Sequence, residues 1–521
     1  MYYKIKKIVD ETLGTTSVLE QPRDKKFGHF ALPTFSLAKS LKKSPQDIAQ
    51  DFAKKLELLP EISSLNVVGG YVNFFLSDLF LEQCTQDFLK PKQKNGEKIL
   101  LEYVSANPTG PLHIGHARGA ILGDSLCKIG RYLGYSITTE YYINDAGSQI
   151  ENLGKSIYFA GKHLLLGDSY ELPEGCYKGE YILDLAKEAK ECFGVECFKS
   201  EEFIEKLSLF GKDKMLEEIK SNLAEAGIVF DNFVSEKELY KQWNDTLKSL
   251  ESHHGIYEQE GKIWIKSTEF GDEKDRVVVR ENGEPTYLAG DIIYHKNKFE
   301  RKFDRYINIW GADHHGYIQR VKAAVEFLGY NSNQLEILLS QMVALLKGGE
   351  SYKMSKRAGN FILMKDIIED VGSDALRLIF LSKRADTHLE FDIEDLKKQD
   401  SSNPVYYINY AHARIHTLFA KSNHTLETLQ KNFSNLSESL RDLLVLALNL
   451  SKTLEDSFIQ RNPQKVVEYL RTLSSEFHRF YNEEKILNTP NEQTILSVLS
   501  IVAQSLNAGL DLLGVKAQKS M

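Results

Sequence analysis

Apolar residues recur three and four positions apart through the last quarter of the chain: Ile408, Ala411, Ile415 and Leu418; Leu440, Leu443, Leu444 and Ala447; Ile495, Leu499, Val502 and Leu506. This spacing predicts amphipathic helices that bury their stripes in one another, an all-α bundle. The pattern differs upstream. Two β-rich runs, Lys98–Val104 and Ser136–Ile143, flank a helical stretch near His113–Leu133. Strand, helix and strand in that order form a βαβ unit, hence a parallel sheet with ligands at the carboxyl ends of its strands. Strand patterns return at Lys262–Ile265, Arg276–Arg280 and Tyr306–Trp310, with a helical run at Ile318–Phe327. Between about 150 and 260 the chain has few strand signals and many charged helix formers, which predicts a mostly helical insertion. Residues 1–90 predict a small α+β unit, with a helix starting at Ser44-Pro45 and a hairpin through Gly69-Gly70. Pro91–Gly96 is polar and rich in turn formers, a linker.

These patterns predict an α/β protein. A Rossmann-like parallel-sheet domain at 93–385, with its insertion, lies between an N-terminal α+β domain at 1–92 and a C-terminal helical bundle at 386–521. The 42% hydrophobic and 26% charged residues exclude wholesale disorder. No run of about 18 uncharged apolar residues occurs, so neither a spanning helix nor a membrane partner is expected. The N-terminal MYYKIKKIVDETLG lacks the apolar centre of a signal peptide, which points to a cytoplasmic protein. The net charge of -8 excludes a uniformly basic nucleic-acid binder but leaves room for a local basic groove. Cys84, Cys127, Cys176, Cys192 and Cys197 are too few for a disulfide framework. No second ligand pair completes a zinc site around Cys192 and Cys197, so no structural zinc is expected.

The segment with most chemistry is Ser105-Ala-Asn-Pro-Thr-Gly-Pro-Leu-His-Ile-Gly-His-Ala-Arg-Gly119, which leaves the first strand of the βαβ unit and enters its helix. His113 and His116 are three apart and share one side of the first turn. Beside a helix N-terminus they predict a cationic, donor-rich pocket for phosphates, with Gly115 allowing close approach. It is not a GxxxxGK[ST] phosphate loop, because no Lys-Ser/Thr follows the glycines. A second segment, Lys353-Met-Ser-Lys-Arg-Ala-Gly-Asn360, follows Gly348-Gly349. Lys353 and Lys356 there could follow charge developing on a leaving polyphosphate, and Met354 could be a small anchoring contact; alone, such a pair reads as a solvated face.

Together and in this order, the two segments resemble the two signature motifs of the class I aminoacyl-tRNA synthetases. Gly372–Leu381, Leu389-Glu-Phe-Asp392 and Asn403–Arg414 resemble the arginyl member, as do Lys26-Phe-Gly-His-Phe-Ala31 and Gly70–Phe75. The likeness runs from about residue 20 to the end and is least distinctive in 155–225 and 420–500. It implies ATP-dependent ligation of L-arginine to tRNA(Arg) through an arginyl-adenylate, in a monomer that takes ATP as substrate with Mg2+. It further implies that activation waits for bound tRNA, that the bundle reads the anticodon and that the N-terminal unit touches the tRNA elbow.

By the same resemblance His113, His116, Lys353 and Lys356 are catalytic. Ser105 and Asn107 hold the backbone end of arginine, and Tyr287, Asp291 and Glu236 line the guanidinium site. Gly115, Gly311, Asp313, His314 and Met354 contact ATP. A guanidinium calls for carboxylates in planar, paired geometry. Tyr287 and Asp291, four apart, share a face if helical; otherwise Asp291 reads as a helix cap and Glu236 as a surface carboxylate. Gly311 and Asp313 follow a predicted strand, where a backbone can approach a nucleotide and a carboxylate can accept ribose hydroxyls. The helix over Tyr406–Phe419 interleaves Tyr406, Tyr407 and Tyr410 with His412, Arg414 and His416, which suits base stacking or, equally, an aromatic core. A synthetase for another amino acid and a non-catalytic tRNA-binding relative are the rival readings; the latter should have lost the phosphate-handling residues, which are all present.

Overall fold

The computed structural model describes residues 1–90, 92–167, 172–352, 362–426 and 428–521. They form two compact units, Met1–Lys92 with Lys398–Met521, and Gln93–Lys397.

In the first unit, strands β1 (Phe30–Pro33), β2 (Ile62–Val68) and β3 (Tyr71–Leu76) form an antiparallel sheet in the order β1-β3-β2. The turn from β2 to β3 needs left-handed backbone at both Gly69 (φ 58) and Gly70 (φ 85), which the glycine pair supplies without strain. Ser44 caps the helix Pro45–Leu56 by accepting from the Asp47 amide, and Pro45 takes the first position, where no amide is needed. The bundle consists of the helices Pro404–Lys421, Glu438–Leu448, Leu450–Ile459, Gln464–Glu483 and Glu492–Leu512. The last is long and apolar enough to cross a membrane by composition alone, a possibility the sequence pattern did not suggest. Here 78% of its apolar window is buried, so it serves as the bundle's central helix. His412 is buried and donates to the Gln518 carbonyl at 2.7 Å, so it belongs to the core and not to an open stacking face. The two ends of the chain are stitched together by Asp78 with Arg441 (2.7 Å), Lys25 with Glu476 (2.7 Å) and Lys92 with Glu455 (3.0 Å).

The second unit is built on a parallel sheet of β4 (Lys98–Glu102), β5 (Ser136–Ile143), β6 (Asn232–Ser235), β10 (Arg305–Gly311) and β11 (Leu335–Ser340). The order is β11-β10-β4-β5-β6. From β4 the chain first moves outward to β5 and β6, then returns to lay β10 against the other side of β4. The crevice at the carboxyl ends of β4 and β10 is therefore the switch point where such sheets take ligands. Ile99, Leu100 and Leu101 of β4 are all buried, as a strand covered on both faces requires. The helix Ile114–Tyr132 joins β4 to β5 and is buried nearly all round.

The insertion is helical through Ser148–Gly161, Glu180–Phe193 and Ile204–Glu225, around a core that includes Leu153, Ile157, Leu185 and Leu207. It is followed by β6, whose four residues are too few to show a period of two in the sequence. Smaller sheets of β7 (Ile256–Gln259), β8 (Lys262–Ile265) and β9 (Arg276–Val279), and of β12 (Val343–Lys347), β13 (Glu350–Ser351) and β14 (Leu389–Asp392), complete the unit. β14 pairs with β12 from beyond the boundary drawn at 385.

Candidate active site

Immediately after β4 the backbone turns through two left-handed residues that are not glycine, Val104 (φ 73) and Ser105 (φ 44). For β-branched Val104 this is strained, and such strain persists where the surroundings hold it. Here the Ser105 hydroxyl donates to Glu102 Oε1 at 2.9 Å and accepts from the Tyr142 amide at 3.1 Å. Two residues on, Asn107 Nδ2 donates to Gln149 Oε1 at 2.7 Å.

His113 is the N-cap of the helix Ile114–Tyr132. Its Nδ1 accepts from the Gly115 amide at 3.1 Å, which leaves the ring proton of the neutral form on Nε2. A Cβ on Gly115 would stand 2.9 Å from the His113 ring, so glycine makes room for the cap. The His113 and His116 rings stack at 3.6 Å. Burial lowers the pKa of both, and for His116, pushed down to about 3, repulsion from His113 adds to it. The cationic pair foreseen from the sequence is thus corrected: burial favours two neutral imidazoles, and the positive end of the helix works in the same direction. His116 Nδ1 is buried without a partner among the described residues.

The strand-like entry to this helix pairs with a distant stretch. The Ile114 amide donates to the Ile362 carbonyl and the Met364 amide to the Leu112 carbonyl, each at 2.9 Å. Lys353, Met354 and Lys356 lie outside the described residues; Ile362 comes six positions after Lys356 in sequence.

Tyr287 and Asp291 lie on the helix Tyr287–Glu300, which Thr286 precedes at the N-cap position without a capping bond. Asp291 is therefore in the second turn and is not a cap. Glu236 is buried, with only 4% of its surface exposed, and is not a surface carboxylate. Its carboxyl is lifted to about 7 by burial, against the pull of hydrogen bonds from Tyr240 and Tyr142. Asp291 is lifted to about 7 by burial and then by the nearby Glu236 and Glu102 carboxylates, with Lys298 and Arg320 opposing. Gly290 lies against Glu236: a Cβ there would be 2.3 Å from Glu236 Oε1. Tyr287 is half exposed, with its hydroxyl 3.4 Å from Ser148 Oγ. Two carboxyl groups near each other and this far above their ordinary values suit a cationic ligand.

At the end of β10, Gly311 leaves space for Asp313, whose Oδ1 would be 2.4 Å from a Cβ at that position. Asp313 and His314 are exposed and 3.6 Å apart. Among the described residues no cluster of three His, Cys, Asp or Glu is arranged to hold a metal. Sequence reasoning missed Tyr142, Tyr240 and the buried Glu102 and Lys298. The available signals were an acid ending an apolar strand and a lysine seven residues after Asp291, on the same helix face.

A switch-point crevice, a His-x-x-His helix entry and an acidic side-chain pocket are the makings of an enzyme that activates a cationic amino acid on a nucleotide. Residues 79–417 match the model for the class I tRNA synthetase (R) catalytic domain, which defines the class. Residues 3–76 match the arginyl-tRNA synthetase N-terminal domain and 408–521 the DALR anticodon binding domain. The arginine–tRNA ligase of Wolinella succinogenes is 59% identical over 100% of both chains, and that of Nitratiruptor sp. 54% identical over 99% of both. The arginyl-tRNA synthetase of Thermus thermophilus, 21% identical, shares the fold with a TM-score of 0.79 over 100% of both chains. The chain belongs to the arginyl-tRNA synthetase family. It attaches arginine to tRNA at the expense of ATP, for protein synthesis.

Proposed function

We propose that the ligation proceeds in two steps at the crevice between β4 and β10. The carboxylate of L-arginine attacks the α-phosphate of ATP, giving arginyl-adenylate and pyrophosphate, and the terminal ribose hydroxyl of tRNA(Arg) then attacks the arginyl carbonyl, forming the ester and releasing AMP. Neither step needs a protein nucleophile; the work is positioning and charge stabilisation. Ser105 and Asn107 hold the backbone end of arginine, while Asp291, Glu236 and Tyr287 hold the guanidinium. His113 and His116 donate to the α- and β-phosphate oxygens, and the buried Nδ1 of His116, without a partner among the described residues, supports a ligand there. Gly115, Gly311, Asp313 and His314 border the nucleotide, with Met354 beside it, and Lys353 and Lys356 act on the leaving pyrophosphate. Mg2+ enters with ATP and is held by phosphate oxygens and water.

The observation that carries the arginine assignment is the pair of carboxyl groups on buried Glu236 and half-buried Asp291, both raised to about 7. A cation with planar donors relieves both. We further propose that residues 1–92 contact the body of the tRNA, that 93–385 carry catalysis and that 386–521 read the anticodon. An aromatic ledge in the bundle supports the last. Tyr406 and Tyr410 stack at 5.8 Å, Tyr410 stacks on His478 at 5.5 Å, and Arg414 lies 3.7 Å over Tyr481. The chain acts as a cytoplasmic monomer, away from membranes. Charging of total tRNA with each radiolabelled amino acid, with and without ATP, tests the reading. Arginine alone, and only with ATP, is the expected result; charging with another amino acid would overturn it.

A further inference from the structure

Asn308, Glu102 and Glu140 stand side by side in register on β10, β4 and β5, a polar row across the middle of an apolar sheet. All three are buried. On the helix Tyr287–Glu300, Asp291, His295 and Lys298 follow at i, i+4 and i+7 on one face, and His295 and Lys298 reach the row. Lys298 Nζ donates to Glu102 Oε2 at 2.5 Å and to Asn308 Oδ1 at 2.9 Å. Since lysine only donates, Asn308 must turn its amide nitrogen to His295 Nε2, 3.0 Å away. His295 therefore carries its proton on Nδ1 and donates it to the Asp291 carbonyl at 2.7 Å. Burial keeps that imidazole neutral, as this arrangement needs. At the other end, Glu102 Oε1 accepts from Ser105 Oγ.

An unbroken series of hydrogen bonds thus joins Ser105 to Asp291 through groups that water does not reach. We propose that this series is a ruler: it fixes the distance between the residue that holds the backbone end of arginine and the residue that holds the guanidinium, and so selects side-chain length, with Lys298 as its positioning residue. The inference rests on Ser105 and Asp291 holding arginine as proposed above. Lys298 is fully buried and acts through Glu102 and Asn308. A helix held only by apolar packing could slide to take a longer side chain; one pinned by directional bonds between buried charges cannot do so without leaving a charge unpaired.

The test is tRNA charging with arginine and with its homologue one methylene longer, homoarginine. The unaltered enzyme should prefer arginine by roughly 10–200-fold, the range that one methylene commands. Lys298→Met should cut the ratio of the two kcat/KM values by about tenfold while leaving the KM for ATP within about twofold. His295→Phe keeps the ion pair, removes the last bond and should cut the ratio by about threefold; it carries the test if Lys298→Met does not fold. A ratio unchanged in every folded variant, whatever the loss of rate, overturns the ruler. Asp291→Asn separates the two readings. If it leaves the KM for arginine unchanged, the arginine site itself is misassigned. If it raises that KM while the ratios stay constant, only the ruler is wrong.

Discussion

The Ile114 amide donates to the carbonyl of Ile362 at 2.9 Å, closing a loop of more than two hundred residues. With the Met364 amide on the Leu112 carbonyl, it lays the residues just after the Lys353–Asn360 motif against the entry to the His113–His116 helix. Residues 362–364 are thus joined to that entry by backbone, and side chains there can vary without parting them.

Proline at 364 offers a test of that junction. Met364 is the first residue of the helix Met364–Val371, where proline is tolerated, and Leu363 before it is extended (φ -75, ψ 140), as proline prefers. Met364→Pro therefore deletes one donor of the junction with little offence to the helix. Adenylate formation in a single turnover should slow by about tenfold or more, since displacement at a reacting centre is costly. Met364→Leu, which keeps the amide and the buried side chain's bulk, should stay within about twofold.

His116→Ala should lower the adenylation rate by about 10²- to 10³-fold, the scale for losing one donor to a developing charge. Filter binding of tRNA should be unchanged. Normal turnover would remove His116 from the phosphate site.

Arginine binding should release protons. Burial raises Glu236 and Asp291 to about 7, while a bound guanidinium favours their charged forms. Affinity should therefore fall as pH drops below about 7 and level off above about 8. Calorimetry in two buffers of different ionisation enthalpy should show net proton release near pH 6 that dwindles by pH 8.5. Proton uptake at pH 6 would contradict the assignment.

Gly290→Ala places a methyl group where Glu236 Oε1 now lies 2.3 Å away, so the carboxylate must retreat. The KM for arginine should rise about tenfold, while the KM for ATP stays within about twofold. Parallel steady-state titrations of the two substrates distinguish this from a general loss of folding.

Much of the second unit could be read from the chain because its signals are local. The apolar run of β4, the helix start near His113 and the β-rich Ser136–Ile143 lie within one βαβ unit, and β5 spans Ser136–Ile143 in the structure. Ser44-Pro45 and Gly69-Gly70 announced their helix start and turn for the same reason. What was illegible depends on burial or on register. His113 and His116 read as a cationic pair until the surrounding atoms remove their water. Glu102 looks like the polar end of a strand until β10 and β5 set Asn308 and Glu140 beside it. Lys298 looks like one more surface lysine on a helix that in fact buries it completely.

The stitching of the chain's two ends has a consequence for synthesis on the ribosome. Asp78, Lys25 and Lys92 leave the exit tunnel long before Arg441, Glu476 and Glu455 exist. Roughly 300 residues of the second unit come between, which at about 5–20 residues per second is a wait of about 15–60 s. During that interval the N-terminal sheet has only its own helices for cover, and the nascent chain can complete the catalytic core first. The last unit to mature is the one made of the first residues and the final ones.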